Sequence, residues 1–99
     1  MKKAVILSHK DNVATVLEDV IKNDDVEVKD SEKNTVCVLT SLDDINRGHK
    51  IAVKDIEKDS HVIKYGQIIG KASMFIQKGD RVHTHNLESE RGSGDLIWK

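Results

Sequence analysis

The sequence predicts an α+β domain that is mainly β with one helix, and three observations carry that expectation. Short aliphatic runs recur along most of the chain, separated by turn residues. From residue 26 onward the apolar spacing is two or a short unbroken run, the pattern of strands. One segment alone, between residues 11 and 23, carries the three-and-four spacing of a helical face. Ninety-nine residues hold one such unit, because a second independent core needs about 50 more. With three aromatics in the whole chain, its core is Val, Ile and Leu.

In chain order, residues 4–8 are short, aliphatic and partly β-branched, and read as a buried strand. Asp11 and Asn12 then offer an N-cap. Val13, Val16, Leu17, Val20 and Ile21 follow as one apolar stripe on a helix of about ten residues, with Asn23 as its stop. Strands are expected at 26–28, 35–40, 50–53, 61–64, 67–72 and 81–85. Segments this short, turning about every eight to twelve residues, build a barrel-like or clip-like β structure with the helix packed on it.

A weak repeat supports the picture. An apolar residue, a turn residue three later and a β-branched residue three after that recur as Val20-Asn23-Val26, Ile45-Gly48-Ile51, Ile56-Asp59-Val62 and Ile76-Gly79-Val82. Gly, Asn and Asp tolerate left-handed backbone, so each copy reads as a tight corner that leads an apolar residue into the next strand. The domain is expected over residues 1–87. Residues 88–99, with Gly92-Ser93-Gly94, read as a polar flexible tail that ends in Leu96-Ile97-Trp98, where Trp98 is either idle or a partner anchor.

Composition excludes several classes. The longest apolar run is residues 4–7, far below the roughly 18 residues of a membrane span, and no secretory leader is recognised, so a cytoplasmic protein is expected. One cysteine, Cys37, permits no internal disulfide and reads as a small buried hydrophobe. The net charge of −1 is unevenly spread. Residues 11–33 carry eight acids against three lysines, whereas residues 46–85 carry eight bases against four acids together with four of the five histidines. A small anion suits the second region. Nucleic acid does not, because the bases are not interleaved with aromatics. No glycine-rich phosphate loop, nucleophile elbow or cysteine cluster is present.

The chemistry-bearing residues lie in three short motifs. In His83-Thr84-His85, an extended strand would project both imidazoles from one face, placing them to act as an acid/base pair or as two metal ligands. Gly48-His49-Lys50 sets a histidine and an ammonium beside a turn glycine, where backbone approaches a ligand closely. Lys64-Tyr65-Gly66 adds a second ammonium next to a phenol. His9 follows the first strand on a loop, and His61 reads as structural.

Residues 45–86 contain Gly48-His49-Lys50, Ile51-Ala52-Val53, Asp55-Ile56, Val62-Ile63-Lys64-Tyr65-Gly66, Ile69-Gly70 and Val82-His83-Thr84-His85-Asn86. Together these closely resemble the N-terminal SAF-type domain of the altronate and galactarate dehydratase family, and Asp11-Asn12-Val13-Ala14 resembles its opening. The resemblance implies a small β-clip-like fold and a cytoplasmic hydro-lyase that removes water from sugar acids to give 2-keto-3-deoxy acids. It also implies a divalent metal, iron among the candidates, bound mainly by a large catalytic partner. A related branch, the sulfolactate sulfo-lyases, has a short subunit of this kind and eliminates sulfite. On this reading His83, His85 and His49 are catalytic, His83 and His85 are also candidate metal ligands, and Lys50, Lys64 and Tyr65 bind the substrate. The expected function is that of a small subunit completing a composite active site. The competing reading is a non-catalytic SAF module that binds an acidic sugar or docks a partner, as in sialic-acid synthase relatives or periplasmic assembly chaperones.

Overall fold

A computed structural model describes residues 1–89; residues 90–99, and with them Trp98 and most of the expected tail, lie outside the described residues. The strands are β1 (Lys2–Val5), β2 (Val13–Val16), β3 (Asp25–Lys29), β4 (Thr35–Thr40), β5 (Lys50–Ala52), β6 (His61–Lys64), β7 (Gln67–Ala72), β8 (Arg81–Val82) and β9 (Leu87–Glu88). They form a six-stranded sheet in the order β4-β3-β1-β2-β5-β8 and a three-stranded sheet in the order β6-β7-β9. Among the described residues only β1 and β3 pair parallel; the other strand pairings are antiparallel.

The expected helix is absent: the described residues contain strands and turns alone. Val13–Val16 is a strand inserted between β1 and β5, with Ala4 opposite Val16 and Val13 opposite Ala52. The three-and-four spacing has another origin. A four-residue strand ends at Val16, and the first corner then brings Val20 inside, four positions further on. Four of the five stripe residues are β-branched and suit a strand. The stripe shares no face, since Leu17 and Ile21 stay 52% and 61% exposed. Asp11 and Asn12 cap no helix; they tie the two sheets together, as described below.

The core has two parts. Ala14 and its cross-strand partner Ile51 belong to one cluster, with Ala4, Val16, Val28 and Ile45. Val13 and its partner Ala52 belong to the other, with Ile56, Val62, Ile76 and Val82. The β2–β5 pair is therefore buried on both faces, which explains why both Val13 and Ala14 are fully buried where alternation would expose one.

The four repeats are corners, as their turn residues predict. Asn23, Gly48, Asp59 and Gly79 have φ of 79°, 87°, 72° and 96°. At all four copies the first and last residues are buried. The corners work in bridged pairs: Val20 and Ile45 exchange two backbone hydrogen bonds of 2.8 Å, and Ile56 and Ile76 exchange bonds of 2.8 and 2.9 Å. Each pair roofs one part of the core. Gly79 has no substitute, because a Cβ there would collide with the Thr40 carbonyl as well as facing a positive φ.

Carboxylates fasten the pairs. The Arg47 N–H donates to Asp19 Oδ1 at 2.8 Å, Lys22 N–H to Asp44 Oδ1 at 2.9 Å, and Lys78 N–H to Asp55 Oδ1 at 2.8 Å. In each case the aspartate precedes the bridging apolar residue of one corner and caps the opposite corner. Such a bond contributes about 1 kcal/mol.

Candidate functional site

The site begins with register. Lys50 pairs with Val82 in the antiparallel β5–β8 ladder, so His49, one residue before Lys50, stands across from His83, one residue after Val82. The two rings lie 5.4 Å apart between centroids, tilted by 37°. Lys50 is also opposite Thr15 on β2.

The strand expected over 81–85 stops at Val82, and the structure corrects the geometry proposed for His83 and His85. Residues 83–86 form a turn held by Asn86, which is buried. Its Oδ1 accepts the His83 N–H at 2.9 Å and its Nδ2 donates to the Arg81 carbonyl at 2.9 Å. The two imidazoles of this motif therefore do not project from one strand face; His83 meets His49, and His85 stands exposed on the turn.

Lys64 and Tyr65 arrive from the other sheet. Lys64 and Gln67 close the β6–β7 hairpin over Tyr65 and Gly66, whose φ values of 55° and 77° are those of a two-residue primed turn. A tyrosine in left-handed backbone is uncommon, and its hydroxyl is engaged with Thr15 Oγ1 at 2.9 Å. The Lys64 ammonium lies 5.0 Å from the centre of the Tyr65 ring.

Two residues dock this hairpin. Asp11 is 2% exposed and accepts three backbone N–H groups: Leu7 at 3.0 Å, Ser8 at 3.1 Å and, across the sheets, Gly66 at 2.7 Å. Asn12 accepts from the Ile63 N–H at 2.7 Å and donates to the His61 carbonyl at 2.9 Å. Asp11, Asn12, Thr15 and Asn86 hold the cluster's elements in place, a role that sequence reasoning did not assign. Asp11 and Asn12 carried a signal, but one that pointed to a helix cap.

The assembled cluster is cationic. Burial, reinforced by the nearby Lys64 ammonium, lowers the Lys50 pKa. Partial burial and then the Arg81, His49, Lys50 and His85 charges lower that of His83. Among the described residues, none of these cations forms an ion pair with a carboxylate; the ion pairs found join Lys2 to Asp24, Lys3 to Glu27 and Lys71 to Glu88. Half-buried positive groups without a counter-charge suit an anionic ligand.

A metal is served less well. Among the described residues no three His, Cys, Asp or Glu side chains converge as ligands, and the imidazole pair stands beside lysine and arginine charges that oppose a divalent cation. These residues do not by themselves fit a resident metal.

A cleft of about 430 Å³ lies elsewhere, lined by residues that include His9, Asp11, Val36 and Cys37 and none of the cationic cluster. Cys37 is half-buried there, packed against the first core cluster. No helix long and apolar enough to cross a membrane occurs among the described residues.

A search of the curated proteins finds no match. The family description of the altronate/galactarate dehydratase SAF domain, in contrast, matches residues 2–90, nearly the whole chain, and so takes in every residue of the cluster. On that match, this chain belongs to the altronate/galactarate dehydratase SAF domain family.

Proposed function

We propose that this chain is the small component of a sugar-acid hydro-lyase and supplies the cationic side of an active site that a large partner polypeptide completes. The observation that supports this most is the meeting of the His49–His83 pair with Lys50 and Lys64, drawn from two different sheets. Dehydration of an aldonate or aldarate requires a base for the proton next to the carboxylate, positive charge for the enediolate that develops, and an acid for the departing hydroxyl.

The residues divide these tasks. Lys50 and Lys64 hold the substrate carboxylate, with Tyr65 at the rim. His83, whose proton affinity is lowered by partial burial and by the charges around it, takes the C2 proton. His49 or His85 gives a proton to the C3 hydroxyl, which leaves as water. The enol so formed moves its hydroxyl proton to C3 and becomes the 2-keto-3-deoxy acid. One imidazole gains the proton that the other loses, so only water is released. The divalent metal that the sequence resemblance implies is assigned to the partner, and no step here depends on it.

Reconstitution tests the reading. The chain mixed with a large dehydratase polypeptide is expected to form 2-keto-3-deoxy acid from galactarate or altronate at a rate that neither part reaches alone. Lys50→Met should raise KM about tenfold or more, because a charge-assisted contact to the carboxylate is lost. Assembly without turnover on either acid would refute the assignment, and sulfite release from sulfolactate would move the chain to the sulfo-lyase branch.

A further inference from the structure

The four corners are not equivalent, and the exception marks a surface. In the corners led by Val20 and Ile76, two successive backbone N–H groups are capped by carboxylates. Ile21 donates to Asp24 at 3.0 Å and Lys22 to Asp44; Gln77 donates to Asp80 at 2.7 Å and Lys78 to Asp55. In the corner led by Ile45, Asp19 caps Arg47. The corner led by Ile56 has neither cap, and among the described residues the Glu57 and Lys58 N–H groups meet no acceptor.

The cause is legible in the chain. The residue that should cap Lys58 precedes Ile76, as Asp55 precedes Ile56 and caps Lys78. That residue is Phe75. Together with Met74 it exposes an apolar knuckle, 48% and 50% accessible, where the other three corners carry a carboxylate. The turn itself is intact: the Ser60 N–H donates to the Glu57 carbonyl at 3.0 Å, as the equivalent residue does in each other corner. The fold has therefore kept the corner while exchanging its internal acid for exposed apolar surface.

We propose that this face, Met74 and Phe75 beside the uncapped Glu57 and Lys58 N–H groups, is where the large partner polypeptide docks, with a partner carboxylate taking the place of the missing aspartate and an apolar partner residue covering Phe75. The inference rests on the reading above that such a partner exists. The chemistry is complementary at both ends: the two backbone donors face a carboxylate acceptor, and the aromatic faces an apolar side chain.

Phe75→Asp tests it, because the substitution supplies the cap internally. Free of its partner, the variant should melt about 4 °C higher than the wild type, as one added hydrogen-bonded cap implies for a domain of this size. Its affinity for the large dehydratase polypeptide, measured by titration calorimetry, should fall at least tenfold. Ile21→Asp, on a still more exposed apolar residue of the first corner, should bind as the wild type does. Phe75→Asp binding as tightly as the wild type would overturn the inference, as would an unchanged melting temperature. So would a dimer of this chain that Phe75→Asp dissolves, since the occupant would then be a second copy. A wild type with no affinity for the large polypeptide would overturn both this inference and the proposed function. A tight complex without turnover would sink the proposed function alone.

Discussion

His83 is the residue on which the proposed chemistry and stability converge. Its amide is fixed by Asn86, its ring rests against His49, and its proton affinity is lowered first by partial burial and then by four neighbouring cations. The unfolded chain binds a proton at this side chain near the ordinary value of 6.5, and the folded chain binds it only at lower pH. Stability therefore falls as the pH drops through 6.5 and stops falling once the folded group is also protonated. Thermal melts of His83→Gln across this range should show a shallower acid-side decline than the wild type; parallel curves would mean the ring is not perturbed.

Among the elements, the β6–β7 hairpin determines whether the cluster forms, because it carries Lys64 to a site otherwise built on β5 and β8. Asp11→Ala removes the acceptor of three N–H groups, one of them reaching across the sheets, and should cost about 3 kcal/mol in chemical denaturation. A loss below about 1 kcal/mol would show that the hairpin is docked by packing alone. Gly79→Ala should cost about 2 kcal/mol or more, through its left-handed backbone and the Thr40 carbonyl behind it. Here the limits of sequence reading become physical. The strands at 35–40, 61–64 and 67–72 fall where their short, β-branched apolar runs place them. The segment 13–21 misleads because a strand followed by a corner places its apolar residues three and four apart, as a helix does. The last strand is shortened by a side chain, Asn86, whose bonds to residues 81 and 83 no periodicity reveals. The motifs of His49, Lys50, Lys64 and Tyr65 are visible as residue types. Their meeting is not, because it depends on contacts such as Tyr65 to Thr15 and Gly66 to Asp11, about 50 positions apart along the chain.

At the scale of the whole molecule, two small cores each roofed by a bridged pair of corners give a plate of sheet, and the cationic cluster lies where the two sheets meet. The family match covers this plate and the proposed function adds a second polypeptide to it. On the proposed reading, the corners capped by carboxylates serve stability and the uncapped one serves docking. The most direct test of the account is the turnover of the reconstituted complex carrying His49→Ala and His83→Ala. The account predicts a fall in kcat of about 10²–10⁴, the range of acid/base catalysis, with affinity for the large polypeptide unchanged. A kcat equal to that of the wild-type complex would contradict it.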